Sequence, residues 1–305
     1  MLNFPFKEYR VCALIVLYNP DLETLEKMIE SLLPEVKRIF IFDNSPASIS
    51  NPKELLKASE FVKYYYFGEN IGIAAAQNWL LKEALAENFD FAIISDQDTI
   101  YPVDYTRRLL KYFHSHDSVI AVCPGWLDVN LKGQELYPGQ YVLDSRGKLK
   151  IDFAETEYLK ISHAISSGMI INLDKIEKVG YMNEDLFIDW VDNDWCWRAL
   201  QKGFSILAVP AVKVRHKLGE ATVIILGKRF VMRSSIRNYY IIRNALFIAL
   251  FKRNIFSIRV YLIKKILHHS LFSFLASSNK VSELSFISKA WLHGMLARLG
   301  PLNRG

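Results

Sequence analysis

Short apolar runs, each stopping on polar residues and separated by amphipathic stretches, limit what this chain can fold into. Val11–Leu17 is a continuous apolar run broken by Tyr18-Asn19-Pro20. Arg38–Phe42 closes on Asp43-Asn44-Ser45-Pro46, and Val62–Phe67 on Gly68-Glu69-Asn70-Ile71-Gly72. Phe91–Ile94 closes on Ser95-Asp96-Gln97-Asp98. Runs of this length bounded by turn formers read as buried strands, and those apolar on both faces favour a parallel sheet. Asp21 suits the N-cap of a helix with apolar positions Leu25, Met28, Ile29 and Leu32, ended by Pro34. Ile73–Glu87 reads as the next helix. Strand–helix alternation with short connections predicts an α/β fold with a mostly parallel central sheet.

Such sheets bind ligands in the crevice outside the carboxyl ends of their strands. Asn19, Asp43, Asn44, Asn70 and Asp96 all fall at such ends, which predicts one crevice. Neither GxGxxG nor GxxxxGK[ST] is present. Asp96 and Asp98 stand two apart, so in an extended segment they point the same way. Two hard oxygen ligands there suit Mg²⁺ or Mn²⁺ shared with a diphosphate; the plainer reading is an Asx-turn. After Pro102 a helix is expected to about His114, then a strand over Val119–Val122. Residues 124–160 hold a hairpin signal at Asp144–Lys148 and could fold over the crevice. Ser166-Ser167-Gly168 is a small-residue break where backbone can approach a ligand, or where packing is tight.

A second acidic element runs from Leu186 to Arg198, with a helix from about Trp190 to Lys202 and Gly203 past its end. Val191, Trp195 and Ala199 form its inward stripe, and Asp194 and Arg198 are spaced to pair. Asp189 and Asp192 fit dipole compensation at a helix start. They also lie beside Trp and Phe, and a carboxylate held against aromatic surface is desolvated and can act as a general base. His216 follows a short strand at Val212–Arg215 and suits a metal ligand or phosphate donor, or a structural role.

Charge divides the chain near residue 212. Residues 1–212 hold 21 basic and 30 acidic residues, a net of −9; the rest hold 17 basic and two acidic, a net of +15. In the basic third, cations alternate with Phe, Leu, Ile and Tyr, which fits helices at a membrane surface better than a nucleic-acid surface; a plain helical subdomain with a solvated basic face stays open. Its longest uncharged apolar run, Ala245–Phe251, is far below the roughly 18 residues of a spanning helix. The opening MLNFPFKEYR lacks the apolar core of a secretion signal. Cys12, Cys123 and Cys196 are widely spaced, which argues against a disulfide framework or zinc site and fits a reducing compartment.

In order, these motifs resemble those of family-2 glycosyltransferases of the GT-A fold over about residues 10–220. Tyr18-Asn19 resembles the end of that family's first strand and Asp43-Asn44-Ser45 its base-contacting turn. The stretch Asn70 to Asn78, with Gly72 and Ala75, resembles N-x-G-x-x-x-A-x-N near the nucleotide. Ser95-Asp96-Gln97-Asp98 resembles the DxD metal motif, and Ser167-Gly168 with Gly180–Phe187 the stretch before the catalytic acid. Phe187–Arg198 resembles F-x-x-x-E-D-x-D-x-C-x-R, which puts Asp192 in the place of the catalytic Asp; the family's Glu is Val191 here, and Asp189 is the second candidate. His216-x-x-Gly219 resembles the late His near metal and diphosphate. Within the family, S-D-Q-D, the acidic stretch and Tyr239-Tyr240-x-x-Arg243-Asn244 are similar to bacterial rhamnosyltransferases.

The resemblance implies a Rossmann-like GT-A domain at residues 1–220, and the charge pattern leaves a basic amphipathic helical region at 221–305 of a kind that associates with membranes. It implies inverting, metal-dependent transfer of L-rhamnose from dTDP-L-rhamnose to a glycan or lipid-linked acceptor in surface-polysaccharide synthesis. The place of work would be the cytoplasmic face of the cell membrane. A UDP-hexose donor, a non-catalytic nucleotide-sugar-binding component and a nucleotidyltransferase are the other readings.

Overall fold

The computed structural model describes residues 9–46, 52, 60–114, 117–128, 142–144, 147–149, 157–216, 222–225, 227–253 and 256–302. Val11–Leu17 (β1), Arg38–Asp43 (β2), Val62–Tyr66 (β3) and Phe91–Ser95 (β4) are the expected strands. Leu22–Leu32 (α1) and Ile73–Ala86 (α2) are the expected helices between them. Asp21 caps α1 by accepting from the Thr24 N–H at 2.9 Å, and Leu25, Met28, Ile29 and Leu32 are its buried face. Tyr105–Leu110 (α3) follows, then Val119–Asp128 (β5). Val142–Asp144 (β6) and Gly147–Leu149 (β7) pair as the expected hairpin, Asp144 opposite Gly147. The rest of 129–156, and with it the cover expected over the crevice, lies outside the described residues.

Leu159–Ile161 (β8), Met169–Asn172 (β9) and Ser205–His216 (β10) complete an eight-stranded sheet of order β3-β2-β1-β4-β9-β5-β10-β8. β1, β2, β3 and β4 pair parallel, as do β5 and β10; β9 and β8 run against their neighbours. β9 matters for the site. Because it is reversed, its start lies beside the end of β4, where the Gly168 N–H donates to Ile94 O at 2.8 Å. β5 and β10 are longer than their apolar runs predict. Around Pro210 the register jumps between Val209 and Lys213, so the residue that cannot donate sits in a bulge and the pairing resumes to His216.

Between β9 and β10 lie Ile176–Val179 (α4) and Val191–Gln201 (α5); Thr222–Ile225 (β11) and Lys228–Val231 (β12) form a hairpin. Three helices follow: Ser235–Phe251 (α6), Phe256–Ala276 (α7) and Lys280–Met295 (α8). α6 corrects one expectation. Residues Asn238–Ala249 are all buried, and Tyr239, Tyr240 and Ile242 belong to the same hydrophobic core as β1 and β4. The middle of this helix is enclosed by the fold, and Leu250 and Phe251 at its end are exposed. Among the described residues no helix is long and apolar enough to cross a membrane.

Candidate active site

The strand ends on the donor side are locked by short side chains. Asn19 has a left-handed backbone, φ 47°, and its N–H donates to Ser45 Oγ at 2.7 Å. Asp43 is buried; it accepts from the Ser45 N–H at 2.9 Å and from the Tyr64 hydroxyl at 2.7 Å. Asn44 Nδ2 donates to Asn70 Oδ1 at 2.8 Å, and Asn44 Oδ1 accepts from the Ile71 N–H at 2.8 Å. Asn70 Oδ1 also takes the Gly72 N–H at 2.9 Å. The two asparagines thus fold the 68–72 loop onto the end of β2. Gln97 clamps the exposed Tyr18, accepting from its N–H at 2.8 Å and donating to its carbonyl at 3.3 Å.

Two residues expected near the nucleotide also pack against the segment before the acidic helix. Asn78 is buried in α2, and its amide hydrogens go to Met182 O at 3.0 Å and Glu184 Oε1 at 2.7 Å, while Oδ1 accepts from the Met182 N–H at 2.8 Å. With its donors used, it holds the segment before the acidic helix. Gly72, φ 88°, meets Phe187: a Cβ would stand 2.6 Å from the Phe187 ring and 2.9 Å from its carbonyl. Ala75, one turn into α2, is half-buried.

The Ser166-Ser167-Gly168 break connects the two acidic elements. The Ser166 N–H donates to Asp192 Oδ2 at 3.0 Å, and the Ser167 hydroxyl donates to Asp96 Oδ2. The turn is fixed from behind by Trp126 Nε1 on Ser167 O at 2.9 Å and by the Tyr105 hydroxyl on Gly168 O. Gly168 has φ 87°, and a Cβ would lie 2.9 Å from the Tyr105 hydroxyl and 3.0 Å from Pro124, so packing requires the glycine. Asp192 opens α5, its Oδ1 accepting from the Asn193 N–H at 3.0 Å. Its carboxyl lies in a desolvated corner although the residue keeps some surface open to the crevice. Burial pushes this carboxyl up to about 7; the backbone N–H bonds oppose the rise and the nearby Asp96 charge adds to it. Such a value is suited to a group that takes a proton near neutral pH.

Asp189, the second candidate, has φ 63° and faces Arg237 at 3.4 Å through both oxygens. Asp194 pairs with Arg198 at 2.8 Å as expected, and Arg198 also donates to Val179 O and Tyr181 O. His216 ends β10, and its side chain, with residues 217–219, lies outside the described residues. Cys12, Cys123 and Cys196 are free and buried.

Asp96 and Asp98 supply hard carboxylate oxygens, the donor type Mg²⁺ and Mn²⁺ take. Among the described residues no group of three His, Cys, Asp or Glu could hold a metal by itself. Two carboxylates are of the donor type that fits such a cation when further oxygen ligands complete its shell. Sequence reading missed Tyr64 on Asp43, Glu184 on Asn78, and Arg243 and Asn244, which lie under the acidic loop; only the last two carried a signal, as part of the Tyr239–Asn244 motif.

This sheet topology, with Asp96 at the end of β4 tied through Ser167 and Ser166 to Asp192 at a helix start, is that of the GT-A fold of glycosyltransferases. Solved structures share the fold: the mannosyltransferase PcManGT from Pyrobaculum calidifontis in complex with GDP-Man and Mn²⁺ has a TM-score of 0.59 at 11% identity, covering 95% of this chain and 89% of that one. GalNAc-T7 with UDP, GalNAc and Mn²⁺ has a TM-score of 0.57 at 14% identity over 94% of this chain, which spans only 58% of that longer protein. The description Glycosyl transferase family 2 matches residues 12–180. The dTDP-rhamnosyl transferase RfbF of Shigella flexneri is 32% identical over 237 residues, 77% of this chain and 78% of that one. The chain belongs to glycosyltransferase family 2.

Proposed function

We propose that this protein is an inverting rhamnosyltransferase that moves L-rhamnose from dTDP-L-rhamnose to a hydroxyl of a glycan or lipid-linked acceptor in bacterial surface-polysaccharide synthesis. The observation that supports the reaction type is the serine bridge, Ser167 on Asp96 and Ser166 on Asp192, which ties the two carboxylates into one site. The donor supports itself on the relationship to RfbF and on the shared family.

In this reading the nucleotide lies across the strand ends, with Tyr18, Asn19, Asp43, Asn44, Asn70, Gly72 and Ala75 shaping its pocket. Lone pairs left on the Asp43 carboxylate accept from the base. Asp96 and Asp98, with His216 as a further candidate ligand, would hold Mg²⁺ or Mn²⁺, which would supply Lewis-acid stabilisation of the departing diphosphate. Ser167, Gly168 and Gln97 keep the carboxylate end of β4 in place. Asp192 takes the proton of the acceptor hydroxyl as its oxygen bonds to the anomeric carbon from the face opposite the diphosphate. The carbon–oxygen bond to the diphosphate breaks in the same displacement, dTDP leaves, and a β-linked donor yields an α-rhamnoside.

The acceptor side favours work at the cytoplasmic face of the cell membrane. On α7 the exposed apolar residues Phe256, Ile263, Leu267, Leu271 and Leu275 fall on one stripe, which exposed Lys264 shares and exposed Arg259 borders. This is the pattern of a helix that lies in an interface, with its cations at the headgroups.

The test is release of nucleoside diphosphate from dTDP-rhamnose, UDP-glucose, UDP-galactose and GDP-mannose, with crude membrane lipid extract as acceptor, in Mn²⁺ and in EDTA. Metal-dependent dTDP release from dTDP-rhamnose alone is expected. Release from a UDP-sugar in its place overturns the donor, and equal rates in EDTA overturn the metal.

A further inference from the structure

We infer that Asn244 and Arg243, on a helix far from the strand ends, are positioning residues that set the backbone carrying the Asp192 base. This rests on the assignment of Asp192 above. The loop before α5 is unusual: Phe187, Asp189 and Trp190 have φ of 65°, 63° and 68°. Residues with side chains disfavour this region, so three within four positions persist only where the surroundings hold them. The Phe187 and Trp190 carbonyls take the Ile73 and Asp194 N–H groups at 2.8 and 2.9 Å, while the Ile188 and Asp189 carbonyls take their donors from side chains, and buried carbonyls need donors.

α6 supplies the donors. Asn244 Nδ2 reaches Leu186 O at 2.8 Å, Ile188 O at 2.8 Å and Asp189 O at 3.2 Å. Arg243 Nη2 reaches Leu186 O at 3.1 Å and Asp185 O at 3.4 Å, and Arg243 Nε donates to Asn244 Oδ1 at 2.8 Å. That last bond fixes which way the Asn244 amide faces, since only its nitrogen is left for the loop. Both side chains are fully buried. Two neighbours on α6 grip the loop as well: Tyr240 stacks on Phe187 at 5.2 Å, and Ile241 O accepts from Trp190 Nε1 at 3.0 Å. Asp192 stands two residues beyond Trp190, at the start of α5. Any release of the twist rotates the first turn of that helix and moves the carboxyl relative to Asp96. The tyrosine–arginine–asparagine motif of the basic third is therefore a clamp on the base, and α6 belongs to the active site's support.

The test uses the full chain with Asn244→Ala, Arg243→Lys, Asp192→Asn and the Asn244→Ala/Asp192→Asn double variant. Turnover is read as dTDP release from dTDP-rhamnose with lipid extract, and dTDP affinity by calorimetry with Mn²⁺. Asn244→Ala is expected to lower kcat about a hundredfold, as for a reacting group displaced by about 1 Å. Affinity for dTDP and donor KM stay within about twofold, and adding Asn244→Ala to Asp192→Asn costs about twofold or less, because the two act through one group. A general loss of fold would give the same factor in both backgrounds, and that result overturns the inference. So does a kcat for Asn244→Ala within about twofold of the parent while Asp192→Asn is inactive. Full turnover in Asp192→Asn would instead remove the base assignment itself. Should Asn244→Ala not fold, Arg243→Lys, which keeps the charge and loses the fork, carries the same comparison.

Discussion

The two walls of the crevice are held by different means. On the donor wall, Asn44 holds Asn70 and Ser45 holds Asn19, each across 26 residues of chain, and Gln97 clamps Tyr18. On the acid wall, the loop at 185–190 has three left-handed residues and borrows its donors from α6, 55 to 58 residues downstream. On the proposed reading the first wall is built from residues that both bind and fold. The second separates the tasks: Asp192 takes the proton, and buried residues on α6 hold the loop before it. A donor-wall substitution should therefore change donor affinity, and an acid-wall substitution should change turnover.

The largest effect that sharpens this contrast is Asp192→Asn. It should lower kcat about 10³-fold, within the range for loss of a general base, while leaving dTDP affinity near the parent's. The stability should move the other way. Folding favours the neutral carboxyl, whose value rises from 3.8 to about 7, so this residue's contribution is fully present below about pH 4 and lost as pH rises through 7. At pH 8 the asparagine variant should melt at or above the parent; a clear drop would contradict the buried carboxyl. The same shift sets the pH profile. The base works deprotonated, so kcat should rise with pH up to about 7 and then level, and a profile flat from pH 5 to 8 would remove Asp192 as the base.

Next in size is Gly72→Ala, which tests where the walls meet. A Cβ at φ 88° would press on the Phe187 ring at 2.6 Å, costing about 1–3 kcal/mol for the backbone and more for the contact. Because Gly72 lies on the donor loop and Phe187 on the acid loop, both KM and kcat should worsen, measured by steady-state kinetics beside thermal melting. A change in KM alone would mean that the walls are independent. Asn78→Ala should cost about 1–3 kcal/mol by leaving the Met182 N–H and carbonyl unpaired, with donor affinity unchanged once folded.

The same contrast explains what could be read from the sequence. Strands β1 to β4 and helices α1 and α2 were legible because apolar runs and a capping Asp21 act over a few residues. The carboxylate pair and Asp192 were legible as motifs. The bonds of Asn78 to Met182 and Glu184 and the contact of Gly72 with Phe187 were not legible, since a pattern of types does not reveal which other loop a residue packs against. The basic third read as surface because its cations count equally in a composition; Arg243, buried among carbonyls, and Arg259, exposed, differ only by packing. β10 was cut short because Pro210 signals a break, and only the bulge shows how the strand continues.

The smallest effect concerns the second acid. Asp189 faces Arg237 at 3.4 Å, and the arginine is 42% exposed, so the pair is long and open to solvent on one side. Pairs of this kind contribute about 0–1 kcal/mol. Asp189→Asn keeps the shape and still offers an oxygen to Arg237, while the loop's twist remains held by Asn244 on the Asp189 carbonyl. Turnover should therefore fall about tenfold or less, far short of the loss expected at Asp192. A loss in Asp189→Asn equal to that in Asp192→Asn would exchange the two assignments. Measuring both at pH 6 and 8 separates the cases, because only the true base gives up its pH dependence when it becomes an amide.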